Sequence, residues 1–443
     1  MLKKHILLFF FLSTLISLAQ HHLKGTIEPS NSEIKWVMLY QIIDGKKLYV
    51  KNAKIKSSSF NFEMTKAQPA GMYRVVYGLN DAFFLDIIYN GEDISFVFNS
   101  DYPMETIAYS KSKENKLYQD YLQKTFSTQQ YLDSIQIAYF TKSSPLTATL
   151  YREAYFELKD LQKEYENESS GMLAYSFIKA TQRFNSKMAQ ETPKSYLSEI
   201  KENFFKYINF KDEALVNSSF LVDRTVDYVF HLNYSKDEKI QRDFFKQALS
   251  SVLAIDKKMS LQKDLIEVLI EEFVYLNETI MVNYIIESYY LKLPKDKQSV
   301  SYIEEIRAKI AVVIGAPAPD FEWGENKQLS ALGIDKNFIL VFWSTDCSHC
   351  KSTLPKIHQL LKDFQKFQVI AIALEEGDTD FKNIVPSFPG WEHVLGVGKW
   401  DNKIARLYNI EATPTYIVLS PEKKIIALPE HLQELKEVLL ELK

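Results

Sequence analysis

"FILVFWSTDCSHCKSTLP" spans residues 338–355 and holds Cys347 and Cys350, the only two cysteines in the 443-residue chain. An unbroken apolar run, 338–342, stops just short of them. A short continuous apolar run reads as a buried strand. The spacing after it predicts a helix over 347–366, with Leu354, Ile357, Leu361 and Phe364 on one face. A strand that delivers Cys347 to a helix N-terminus sets its sulfur among unpaired backbone N–H groups, where the thiolate is favoured. Cys350, one turn on, lies on the same helix face. Cys347 is therefore the expected nucleophile and Cys350 the more buried resolving thiol. A purely structural disulfide is the weaker reading, because a loop this short constrains the unfolded chain little.

The segments around this stretch extend the pattern. Residues 367–374 read as a second buried strand and 402–408 as a short helix. Residues 416–419 and 424–428 read as two strands about the turn Ser420-Pro421-Glu422, and 429–442 as a terminal helix. The order is a β-α-β unit, a β-hairpin and a last helix. Upstream, "GAPAPDF" (315–321) ends a helical stretch with two prolines and a glycine.

Residues 313–443 resemble the thioredoxin superfamily, and within it the exported TlpA/ResA-like thiol–disulfide oxidoreductases. The likeness rests on "GAPAPDF", "FILVFWSTDCSHC", "ATPTYIVL" and the order of elements. It implies a cis-proline, Pro414, facing the two cysteines, and a Thr413 backbone that pairs with the substrate. It also implies protein thiols or disulfides as substrates, an unidentified redox partner, and no cofactor. Three positions depart from the family pattern. Val341 stands where a buried Asp is frequent, Thr353 where a Glu is frequent, and Asp346 where a Trp is usual. Glu375 or Glu376 is the replacement candidate for a proton acceptor near Cys350. Asp346 should raise the Cys347 pKa by like-charge repulsion, and a protonated His349 should lower it. The direction of electron flow stays open. A His between the cysteines resembles the more oxidising members of the superfamily, whereas the TlpA/ResA label implies a reductant.

The rest of the chain is larger and less specific. Residues 1–19 have a basic head, an apolar run and small residues near Ala19, and so read as a cleaved signal peptide. The expected location is exported, in the periplasm. The leader has no cysteine, so a lipoprotein is not expected. Residues 20–110 alternate apolar and polar positions, as in "SFNFEM" and "ISFVFN". They predict an antiparallel β-sandwich or barrel, with a hairpin at Asn90-Gly91. Residues 111–312 carry helical periodicity, with Ser112 as a cap and stripes at Tyr151, Tyr155, Leu158, Leu161 and at Leu265, Leu269, Phe273, Leu276. The fold class is multidomain, completed by the α/β domain 313–443. "SKENKLYQDYL" and "GMYRVVY" are similar to exported proteins that place an uncharacterised β domain before such a module; no activity follows from that. A net charge of −4 leaves no footprint for nucleic acid, and no segment after the leader reads as transmembrane. Two cysteines are too few for a zinc site, which wants about four ligands, so no metal is expected. The alternative function is a non-catalytic binding protein whose β and helical domains recognise a partner, with the α/β domain as scaffold.

Overall fold

A computed structural model describes residues 21–442 apart from 44, 66–67, 79–82 and 363. The expected signal peptide lies outside the described residues. The chain divides into two compact units, Met1–Leu265 and Ile266–Lys443. The change from helices to α/β expected at 312/313 falls within the second unit.

The first unit opens with eight strands in two sheets. β1 (His21–Ile27), β4 (Ser59–Met64), β7 (Ile94–Phe98) and β8 (Ala108–Lys111) form one, in the order β4-β1-β7-β8. β2 (Trp36–Ile43), β3 (Lys46–Lys54), β5 (Gly71–Val76) and β6 (Phe84–Tyr89) form the other, in the order β3-β2-β5-β6. Successive side chains on a strand face opposite ways. Phe60, Phe62 and Met64 of β4 therefore share a single core with Ile94, Phe96 and Phe98 of β7 and with Val37 and Leu39 of the other sheet. The architecture is the expected sandwich, antiparallel except that β1 and β7 run parallel.

The expected Asn90-Gly91 hairpin is corrected. Gly91 does turn the chain, with φ +87°, but β6 and β7 belong to different sheets. The turn carries the chain across the sandwich, because β7 takes its place between β1 and β8. The edge of β6 is instead engaged by a side chain. Asn115, in the helix Lys113–Thr141, accepts from the Ile88 N–H at 2.9 Å and donates to the Ile88 carbonyl at 2.7 Å. An amide that mimics a neighbouring strand satisfies an edge that would otherwise be buried unpaired. Ser112 caps the same helix as expected, accepting from Asn115 N–H. The next helix, Pro145–Glu168, starts with a reciprocal Ser144/Thr147 capping box. Tyr151 and Leu158 of the first apolar stripe are buried. In the second stripe Leu265, Leu269 and Phe273 are buried, while Leu276, just past the end of the helix Met259–Tyr275, is 46% exposed.

The second unit holds the helices Thr279–Ser288 and Val300–Ala311, then the α/β part. A small antiparallel pair, β9 (Glu322–Trp323) with β10 (Lys327–Gln328), precedes the main sheet. That sheet comprises β11 (Asn337–Trp343), β12 (Phe367–Glu375), β13 (Glu392–Val397), β14 (Thr415–Leu419) and β15 (Ile425–Ala427). Its order is β13-β12-β11-β14-β15, so β11 lies at the centre. β12 and β13 run parallel to their neighbours, while β14 and β15 are antiparallel. β11 is covered on both faces, which is why its sequence is continuously apolar. Phe338, Leu340 and Phe342 face one core, and Ile339, Val341 and Trp343 the other. β13 is the strand that periodicity missed, for it is an edge with Glu392, His393 and Gly396 among its residues. "GAPAPDF" lines the opposite edge. Gly315 and Ala318 donate backbone bonds to Ile425 and Lys423, while Pro317 and Pro319 have no N–H to donate.

Asn115→Leu should destabilise the first unit by about 3 kcal/mol, because it strands both polar groups of the buried Ile88. Urea unfolding followed by far-UV circular dichroism checks this, and an unchanged midpoint would show that water replaces the amide.

Candidate active site

β11 ends at Trp343, and Ser344-Thr345-Asp346 carry the chain to the helix Ser348–Leu361. Cys347 is the N-cap of that helix: its sulfur, 3.0 Å away, accepts from the Cys350 N–H. A capping residue takes one of the helix's unpaired donors, and here the acceptor is sulfur. The two sulfurs are joined as a disulfide. They differ in access: Cys350 is fully buried against Trp343 and Leu354, whereas Cys347 is half-buried. Pro355, inside the helix, has no N–H to donate to the preceding turn.

Across from the cysteines, the Thr413–Pro414 peptide is cis and leads straight into β14. The Thr413 carbonyl oxygen lies 3.4 Å from the Cys347 sulfur. The structure therefore brings Cys347, Cys350 and Thr413 together, with Pro414 fixing the turn.

The charged residues resolve differently from their simple sequence reading. Asp346 is largely exposed, and Lys399 Nζ donates to its carboxylate at 2.9 Å. The Lys399 ammonium holds the Asp346 carboxyl below its usual range. The repulsion expected at Cys347 is thus shared with a cation. Lys399 follows Gly398, whose φ of +93° turns the chain after β13. Nothing in the local sequence singles Lys399 out, since its partner is 53 positions away. His349 is exposed on the first helical turn, and its carbonyl accepts from the Thr353 hydroxyl at 2.7 Å.

Glu375 is the buried acid at the end of β12, while Glu376 is exposed. Both Glu375 oxygens are engaged, one by the Thr345 N–H and the other by Thr345 Oγ1 at 2.8 Å. The acid thus fastens the loop two residues before Cys347. Val341, at the position where the family often has an Asp, is fully buried among apolar side chains.

A Thioredoxin-like family model matches residues 335–425. The C-terminal domain is thioredoxin-like. A thioredoxin-like protein of Haemophilus influenzae is 32% identical over 100 residues, which is 23% of this chain and 58% of that protein. Thiol-disulfide oxidoreductase ResA of Bacillus subtilis is 27% identical over 125 residues, 27% of this chain and 68% of that protein. A solved thiol-disulfide oxidoreductase from Bacteroides fragilis is 26% identical, with a TM-score of 0.26, covering 29% of this chain and 99% of its own. All three alignments cover under a third of the chain. Among the described residues no helix is long and apolar enough to cross a membrane.

Lys399→Met should leave Asp346 unpaired beside the sulfur of the thioredoxin-like site. In the reduced protein at low salt the Cys347 pKa should then rise, because an unpaired carboxylate disfavours the neighbouring thiolate. Ultraviolet thiolate absorbance against pH reads this; an unchanged titration would show that the ion pair has no effect at the sulfur.

Proposed function

We propose that the chain is an exported thiol–disulfide oxidoreductase that exchanges electrons with protein thiols through Cys347 and Cys350. The observation that carries this reading is the unequal access of the two sulfurs. Only Cys347 is reachable, and it already accepts a backbone N–H at the helix end. That arrangement suits a thiolate nucleophile and leaving group.

Starting from the disulfide, a substrate thiolate attacks Cys347 Sγ, the Cys347–Cys350 bond breaks, and Cys350 leaves as a thiolate that takes up a proton. A second substrate thiolate then attacks the substrate sulfur of the mixed disulfide and releases Cys347 as a thiolate held by the Cys350 N–H. The substrate gains a disulfide and the protein two thiols. The reverse sequence, begun by the Cys347 thiolate, reduces a substrate disulfide. Which direction runs depends on the reduction potential of the pair against that of its partner, about 30 mV per 1.4 kcal/mol for two electrons. Thr413 would hold an extended substrate by its backbone beside Cys347, with Pro414 keeping that turn stiff. His349, when protonated, would add positive charge near the thiolate. Residues 1–19 would direct export, and an oxidising compartment suits a redox pair in a chain with no other cysteine.

Cys350→Ser should accumulate mixed disulfides with client proteins on non-reducing gels, and Cys347→Ser should not. In an insulin-reduction assay the wild-type protein should turn over and Cys347→Ser should be inactive. Equal trapping by the two variants would reject the assignment of roles. A wild-type protein unable to turn over any disulfide or dithiol would leave the binding-protein reading.

A further inference from the structure

The first unit contains a cleft of about 560 Å³ where the helices Lys113–Thr141 and Pro145–Glu168 meet the β-sandwich. That volume falls within the range of small-molecule sites. We propose that this cleft binds a neutral, flat, mainly apolar molecule. None of its lining residues belongs to the candidate thiol site, and nothing in the thiol chemistry requires it.

Three observations set the ligand's character. The first is shape. Tyr109, Tyr118 and Phe126 line the cleft with aromatic rings that are not fully buried. Aromatic side chains around a cleft favour a planar aromatic guest. Phe126 is largely exposed and Leu158 buried, so the cleft runs from solvent into the core.

The second is charge. Two carboxylates, Asp86 and Glu105, and two cations, Lys159 and Arg183, line the cleft and balance one another. Asp86 is held by Arg74 at 2.7 Å, and Arg183 by Asp133. A charged ligand would lose its hydration and meet no surplus counter-charge, so a neutral one is favoured.

The third is hydrogen bonding. Tyr121 Oη donates to Gln162 Oε1 at 2.8 Å, and Gln162 Nε2 donates to the Ile178 carbonyl at 3.2 Å. These wall groups are satisfied within the protein and offer the guest mostly apolar surface.

The full-length chain should be titrated with the neutral naphthalene ketone prodan and, separately, with the anionic probe anilinonaphthalene sulfonate. Prodan should bind saturably, one per chain, with blue-shifted emission, and at least about tenfold more tightly than the anionic probe. Leu122→Trp and Thr125→Trp each fill the cleft from the same helix face and should weaken prodan at least about tenfold with unchanged circular dichroism. Tyr234→Trp, at an exposed position away from the lining, should leave affinity unchanged. Two cleft variants are used so that one misfolded protein leaves the other as the test. The proposal is overturned if prodan fails to saturate, if the anionic probe binds as tightly, or if a folded cleft variant keeps wild-type affinity.

Discussion

The Cys350 N–H lies 3.0 Å from the Cys347 sulfur, and that contact exists only while Cys347 caps its helix. A shift of the helix start by one residue would leave the sulfur outside the first turn and hand the N–H to another acceptor. The register of β11 sets that start. Both faces of β11 are apolar, so polarity alone does not penalise a one-residue slip as it would in a half-exposed strand. The polar latch does. β11 and β12 pair with a constant offset, Trp343 opposite Ala373, and extending it sets Thr345 opposite Glu375. The Glu375 carboxylate receives both donors of Thr345. A slip would bury that carboxylate without them, at a cost far larger than the change in apolar packing.

The parts of the fold that were legible in the sequence are those fixed by period and by hard local chemistry. β11 announces itself as an apolar run, the β4 and β7 faces as strict alternation, and Ser112 as a cap. The two cysteines mark the candidate site without help, and the Thr413–Pro414 turn follows from the family likeness. What was not legible depends on partners distant in sequence. Asn90-Gly91 has the chemistry of a hairpin, but two-residue turn preferences report only how the chain bends. Which sheet the next strand joins is decided by β1 and by Asn115, neither of which is local to the turn. β13 escaped because an edge strand need not be apolar. Lys399 escaped for a similar reason: an exposed lysine after a glycine has no signature until the fold sets it against Asp346.

Glu375 and Asn115 belong to the same physical class. Each is a buried polar side chain from one element that satisfies backbone or hydroxyl groups of another, where apolar packing would tolerate several alignments. Close packing between apolar surfaces discriminates by shape alone. A two-bond polar contact adds a directional condition that neighbouring alignments fail.

The electrostatics of the thiol site follow from where its charges are exposed. The Asp346 carboxylate is mostly in solvent, and Lys399 stands beside it. Charges so placed are screened within about 8 Å at physiological ionic strength, and this pair also opposes its own field. The helix-end N–H groups are fixed by the backbone and partly shielded by the protein; one of them touches the sulfur directly. The contribution that survives salt is therefore the one built into the capping geometry. A thiolate stabilised in this way depends on the helix start staying where β11 and the Thr345–Glu375 latch hold it, and much less on the composition of the surface around it.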